Sequence, residues 1–309
     1  MHIWRNESLN FEGNEQRRKE MEINSVCVLG AGAMGHGISL VCAQKGCTVV
    51  MVDIQEEFVQ NGLNRIKEYL QGSLERKKVT TEEAAGILDK ISTSTNISIA
   101  ARQTDLVIEA IVENMKIKQD TYRQLDQICP KHTIFASNTS YQSITEMASV
   151  TKRADRFVGM HWFNPPQIMR GIEVVTTEAV SPEVLETMVN FCKKLGKEPA
   201  ICKDSAGFIA NRVLNVWRNE ASNIYDGGSA SFRDIDIALK TAYNFRMGPF
   251  ELGDLTGLEI GLAGNQTLYQ EFKRDVFAPP HCVVMKVRAG NLGRKTGRGF
   301  YDYKSAGAT

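Results

Sequence analysis

The chain lacks any apolar run approaching the roughly 20 residues needed to cross a bilayer, so nothing in it reads as a membrane span. It also lacks an excess of one charge. The formal net charge is +1 and the basic residues are scattered, which leaves no electrostatic case for nucleic acid, a membrane surface or a polyanionic partner. Seven cysteines are an odd number, and none falls in a CxxC pair. Cys27 and Cys42 lie inside apolar segments, where a free thiol behaves as a small hydrophobe. A disulfide framework, a zinc site or any other metal centre is therefore not expected, and a reducing cytoplasm is the expected compartment. What remains is an ordinary globular composition, 42% hydrophobic and 24% charged over 309 residues, enough for two domains.

Residues 1–22, "MHIWRNESLNFEGNEQRRKEME", are polar, have no apolar core and mix glutamates with basic residues. That pattern argues against a signal or transit peptide. Met21 directly precedes the first strand-like run, so the segment is expected to be an upstream-start extension or a disordered arm.

The strongest local pattern is "INSVCVLGAGAMGHGISLVCAQKGCTVVMVDI" at 23–54. Val26–Leu29 form a short continuous apolar run, as in a strand buried on both faces. The turn Gly30-x-Gly32-x-x-Gly35 follows, then a helical stretch, a stop at Gly46 and a second apolar strand ending at Asp53. Gly30 permits the tight turn, Gly32 lets backbone approach a pyrophosphate, and Gly35 allows helix to pack closely on strand. Asp53, roughly 20 residues on, suits an adenosine 2′-hydroxyl and would repel a 2′-phosphate, which favours NAD over NADP.

The alternation continues. Residues 55–91 read as helical, with Phe58, Leu63, Ile66 and Leu70 on one apolar face. "TDLVIEAIVEN" (104–114) reads as a buried strand ending at Glu113 and Asn114, and Lys116 and Lys118 open the next helix. "HTIFASNTSYQSI" (132–144) reads as a strand leading into a polar turn, Ser137-Asn138-Thr139-Ser140. That turn either caps the following helix or contacts a ligand at the strand's carboxyl end.

"GMHWFNPPQIMRGIEVV" (159–175) contains a histidine within one apolar run and a carboxylate within the next. Val158, Met160 and Trp162 share one strand face and His161 the other, Asn164-Pro165-Pro166 ends the strand, and "GIEVVTT" forms the next. A short connection favours adjacent strands, so His161 and Glu173 can meet across them. A lone strand histidine is structural by default. One oriented by a carboxylate can serve as a general base beside a nicotinamide. Around residue 204 the composition changes to helices separated by glycine turns, with Asp204 or Ser205 as possible cap of the first and Asn211 near its start.

In order, Gly30–Gly35, "SNTS" (137–140), "HWFNP" (161–165), Glu173, "GFIANR" (207–212), "MGPFELGD" (247–254) and "GRKTGRGFYDY" (293–303) resemble the L-3-hydroxyacyl-CoA dehydrogenase family in its short 3-hydroxybutyryl-CoA dehydrogenase form, from about residue 23 to 304. The resemblance implies an α/β fold in which a Rossmann-like NAD-binding domain (23–204) is followed by an all-helical domain (205–309) that binds substrate and dimerises. It implies NAD-linked interconversion of L-3-hydroxyacyl-CoA and 3-ketoacyl-CoA. His161 would be the general base and Glu173 its orienting carboxylate. Ser140 and Asn211 would bond the substrate oxygen region, with Asn164 helping to hold the site. Gly30, Gly32, Ala33, Met34, Gly35, Asp53, Glu113, Lys118 and Asn138 would bind the cofactor.

Departures from the common pattern are Trp162, Pro166, Gln167, Arg170 and Gly171 between the dyad residues, Tyr141 after the matched serine, and Tyr69. They are expected to reshape the acyl pocket, and Arg170 is a candidate contact for an acyl group with a carboxylate or other polar end. A sugar-acid dehydrogenase of the gulonate and lens-crystallin branch, or a non-catalytic NAD-binding protein, are the other readings.

Overall fold

A computed structural model describes residues 21–304; most of the expected N-terminal extension lies outside the described residues. The short apolar runs form strands because each is buried on both faces, and helices cover the sheet they build. The strands are β1 (Ser25–Leu29), β2 (Thr48–Val52), β3 (Ile91–Ser94), β4 (Leu106–Glu109), β5 (Ile134–Ser137), β6 (Phe157–Trp162), β7 (Gly171–Thr176) and β8 (Glu198–Lys203). They make one sheet in the order β3-β2-β1-β4-β5-β6-β7-β8. Every neighbouring pair is parallel except β6 and β7, which are antiparallel.

The connecting helices are α1 (Gly35–Gln44), α2 (Glu56–Glu75), α3 (Thr81–Leu88), α4 (Ile97–Ala100), α5 (Met115–Ile128), α6 (Ile144–Ala148) and α7 (Pro182–Lys194). After β8 come α8 (Ala210–Asp226), α9 (Phe232–Tyr243), α10 (Pro249–Thr256), α11 (Leu258–Phe272) and α12 (His281–Arg288). This is the expected Rossmann-like arrangement followed by helices.

Several local expectations shift. The strand in 104–114 stops at Glu109, and Asn114 instead caps α5, accepting from the Ile117 N–H at 3.1 Å. On α2 the buried stripe is Val59, Gly62, Ile66 and Leu70, leaving Phe58 exposed one position off it. Tyr69 packs against the α1–α2 core cluster. The first C-terminal helix is not capped by Asp204 or Ser205. It begins at Ala210, while Asp204 accepts from the Ser143 hydroxyl and the Thr145 N–H at the start of α6.

The helical half is pinned by two buried carboxylates absent from the sequence reading. Asp236 accepts from the N–H groups of Phe250 and Glu251 and from the Tyr301 hydroxyl. Asp254 accepts from the N–H groups of Phe300 and Tyr301 and from the Tyr303 hydroxyl. The "MGPFELGD" and "GRGFYDY" segments are thus clamped to one another around a cluster of aromatic rings.

The glycines of the first turn divide by role. Gly30 has φ of +98°, and a Cβ on Gly35 would lie 1.7 Å from the Gly30 carbonyl oxygen. A Cβ on Gly32 would meet nothing within 4 Å. Gly35→Ala is therefore expected to lose about 1–3 kcal/mol or more in urea denaturation, because backbone must move. Gly32→Ala should leave the urea midpoint in place while weakening NADH binding measured by fluorescence titration.

Candidate active site

β6 and β7 pair with His161 directly opposite Glu173. The His161 Nδ1 and a Glu173 oxygen are 2.6 Å apart, and both side chains are buried. The ring is held between Phe163 and Phe208, with centroids 4.8 and 5.5 Å away. Its Nε2 lies 3.1 Å from the Ser140 hydroxyl. Occupied at Nδ1 by a carboxylate, the neutral ring carries its proton there and leaves the Nε2 lone pair facing Ser140.

Glu173 does more than orient the ring. Its other oxygen accepts from the N–H groups of Ile209 and Ala210 at 3.0 and 2.8 Å, so a strand carboxylate supplies the cap for α8. Burial pushes the Glu173 carboxyl up. The hydrogen bond and charge of His161 and the two N–H groups outweigh that and hold it below the usual carboxylate range. Asn211 follows Ile209 and Ala210 in the first turn of α8.

The turn after β5 is not the cap of the next helix; Ser143 does that for α6. Its four polar residues are committed one by one. Ser137 donates to Glu109 at 2.7 Å, and the Asn138 side-chain oxygen accepts from the Trp162 N–H at 2.8 Å. Thr139 donates to Glu113 at 2.9 Å, and the Ser140 N–H donates to Glu113 at 3.0 Å. Lys118 is not presented to solvent. It is buried, 2.7 Å from Glu109 and 3.1 Å from half-exposed Glu113, whereas Lys116 is an exposed partner of Asp120. Glu109 went unread in the sequence, although an acid inside "LVIEAIV" is the same signal as Glu173 inside "GIEVV".

At the other end, Asp53 accepts from the Ala31 N–H of the glycine turn at 2.7 Å and from the Ile54 N–H at 2.7 Å. Met34 precedes α1 without a side-chain cap, so the first N–H groups of the helix have no side chain bonded to them. The open space at Gly32, the uncapped helix start and the adjacent carboxylate fit a dinucleotide pyrophosphate and ribose. Asn164 is exposed, and among the described residues its side chain makes no hydrogen bond.

The departures between His161 and Glu173 have several different surroundings, and Gly171 adjoins Phe163, the ring packed on His161. Trp162 is in the core, and Pro166 and Gln167 rest against Gly37 of α1. Lys197 holds the loop by donating to the Pro166 and Met169 carbonyls at 2.6 and 2.7 Å. Arg170 is exposed and paired with Glu198 on the edge strand.

A dinucleotide turn joined through one sheet to a buried His–Glu pair defines an NAD-dependent dehydrogenase. The pattern described as 3-hydroxyacyl-CoA dehydrogenase, NAD binding domain, matches residues 25–205, and that of the C-terminal domain matches 207–303. The chain is 43% identical over 295 residues to the mitochondrial hydroxyacyl-coenzyme A dehydrogenase of Mus musculus, covering 93% of each. It is 40% identical to the probable 3-hydroxybutyryl-CoA dehydrogenase of Bacillus subtilis, over 92% of this chain and 99% of the other. The crystal structure of (S)-3-hydroxybutyryl-CoA dehydrogenase from Ralstonia eutropha superimposes with a TM-score of 0.88 at 41% identity, covering 91% of this chain and 99% of that one. The chain belongs to the 3-hydroxyacyl-CoA dehydrogenase family, and it is an oxidoreductase that uses NAD.

Two outcomes test this geometry. Removing the Lys118 charge strands buried Glu109, so Lys118→Met should cost about 3–5 kcal/mol in urea denaturation, and pairing it with Glu109→Gln should recover part of the loss. Because the Glu173 carboxyl titrates below its unfolded value, it stabilises the native state above the ordinary glutamate range. That contribution is lost as pH falls through the lowered value. Glu173→Gln should therefore flatten the acid limb of a plot of melting temperature against pH.

Proposed function

We propose that His161, Glu173 and Ser140 carry the proton chemistry of L-3-hydroxyacyl-CoA oxidation and of the reverse 3-ketoacyl-CoA reduction. The observation that carries this reading is the chain Glu173–His161–Ser140, with separations of 2.6 and 3.1 Å. NAD, when bound, supplies the hydride acceptor. His161 Nε2 takes the hydroxyl proton of the substrate as its carbon is oxidised, and Glu173 stabilises the imidazolium that results. Ser140 donates to the substrate oxygen and, with Asn211, fixes it in line with Nε2. In reduction, protonated His161 returns the proton to the nascent alkoxide. Asn164 borders the site on the strand-ending turn.

On the cofactor side, Gly30, Gly32, Ala33, Met34 and Gly35 are the backbone cradle for the pyrophosphate, and Asp53 receives the ribose hydroxyl. Glu113 and Asn138 lie toward the nicotinamide end, where Glu113 already orders the Ser140 turn. Lys118 acts there through Glu113, since its own ammonium is buried. No observation favours the sugar-acid or the non-catalytic reading.

The NAD-binding unit is assigned to 23–204 and the helical unit to 205–309. Exposed Val213, Ile237, Tyr243, Phe245, Leu255 and Ile260 support a homodimer built on that helical unit. Free thiols throughout the described residues support a reducing, cytoplasmic setting, and no helix there is long and apolar enough to cross a membrane.

The test follows NADH absorbance with acetoacetyl-CoA. His161→Gln should lower kcat by about a thousandfold with NADH binding retained. Turnover near that of the parent enzyme would refute the base assignment.

A further inference from the structure

Ser140 is tied to both halves of the molecule. On the sheet side its N–H donates to Glu113 at 3.0 Å, and its hydroxyl lies 3.1 Å from His161 Nε2. On the other side the next residue, Tyr141, reaches into the helical half. The Tyr141 hydroxyl accepts from the Asn215 side-chain amide at 3.1 Å. It sits in a notch on α11 that exists because residue 264 is glycine; a Cβ there would lie 2.4 Å from that hydroxyl. Gly207, just before α8, borders the edge of the same ring. A ring so enclosed cannot swing without carrying Ser140 with it.

Asn215 is buried, one helical turn beyond Asn211 on α8. Its amide nitrogen has two hydrogens, and both are committed. One goes back to the Asn211 carbonyl at 2.7 Å, and the other goes to Tyr141. The back-bond to the preceding turn fixes the side chain and thereby aims the second N–H at the tyrosine. A buried asparagine between packed helices is unfavourable unless its polar atoms are used, and a leucine would fill the position without that demand. What the amide adds is geometry, because a satisfied buried polar link specifies one arrangement where apolar packing tolerates several.

The groups joined by this one nitrogen adjoin the residues assigned to the substrate oxygen. Tyr141 follows Ser140 in the chain, and the bonded carbonyl is that of Asn211 itself. Glu173 already references α8 to His161 by accepting from Ile209 and Ala210. Asn215 completes the circuit. His161 is fixed to α8 through Glu173, α8 to the Ser140 turn through Tyr141, and Ser140 meets His161 directly.

We propose that Tyr141 and Asn215 are positioning residues for the reaction, and that their hydrogen bond holds Ser140 and Asn211 at one fixed separation about the substrate oxygen. They act through those two residues and not by contact with the reacting atoms. The proposal rests on the hydroxyacyl-CoA reading of the site, in which Ser140 and Asn211 bond that oxygen.

The test follows hydride transfer itself, as single-turnover loss of NADH absorbance with saturating acetoacetyl-CoA in a stopped-flow instrument. Tyr141→Phe removes the acceptor and keeps the ring, while Asn215→Leu removes the donor at similar volume. Each should slow transfer by about tenfold, since misplacement by about 1 Å can cost about a hundredfold. NADH affinity, read by fluorescence titration, should stay that of the parent enzyme. The double variant should be no slower than the slower single one, because both changes remove the same bond. A role in stability alone would not move the decisive comparison. In a Ser140→Ala background, Tyr141→Phe should slow transfer by less than about twofold, because the residue it positions has lost its hydroxyl. Should Asn215→Leu not fold, the two Tyr141→Phe comparisons decide alone. Parental transfer in Tyr141→Phe would overturn the inference, and so would equal slowing with and without the Ser140 hydroxyl. Parental transfer in Ser140→Ala would instead overturn the assignment of Ser140 beneath it.

Discussion

Glu173 is one buried carboxylate with three obligations. It bonds His161 Nδ1, and it accepts two N–H groups at the start of α8. A carboxylate in an apolar sheet is unfavourable unless its lone pairs are occupied, and here each oxygen has its own donors. The consequence reaches beyond stability. The bond to Nδ1 selects the tautomer of the ring, while the bonds to α8 fix where the helical half begins relative to the ring. Orientation of the imidazole ring and placement of the helix that carries Asn211 therefore share a single anion.

A second buried acid repeats the device on the cofactor side. Glu109 ends β4 and gathers Lys118, Ser137 and the Ile111 N–H. Lys118 in turn meets Glu113, which orders Thr139 and Ser140. Ser140 then faces His161 Nε2. Ser140 and His161 Nε2 are thus held from two sides, by Glu109 at the carboxyl end of β4 and by Glu173, which lies opposite the carboxyl end of β6. That is where open parallel sheets collect ligand contacts, because the helix starts and the loops converge there.

What the sequence disclosed followed the strength of its patterns. The glycine turn, the apolar runs of β1, β2, β4, β5, β6 and β7, and the facing of His161 and Glu173 were legible, because continuous burial and short connections constrain them strongly. β3 and β8 were not. "ISTS" is brief and half polar, and "EPAICK" is an exposed edge strand carrying Pro199. The cap of α8 was illegible for a different reason. It comes from a residue on another strand, and local cap rules search only the preceding few positions. Lys118 shows the same limit. A lysine in the first turn of a helix reads as solvated until the strand acid that buries it is located.

The departures from the family pattern sort by what surrounds them. Those between His161 and Glu173 were the natural suspects for altered specificity, yet Trp162, Pro166 and Gln167 are occupied with core and helix packing, and Arg170 with a surface partner. Tyr141 differs, because its bulk is accepted by a glycine on α11 and its hydroxyl by a buried asparagine on α8. A large residue beside Ser140, a missing side chain at 264 and polar groups at 215, 218, 219 and 265 form one connected arrangement. Each alone would be a defect, a clash, a void or an unpaired polar atom. Two polar atoms remain without partners there, the Arg218 Nε and the Asn265 side-chain oxygen. The change beside Ser140 is therefore accommodated by the helical half, on the far side of Ser140 from the strands that hold His161 and Glu173.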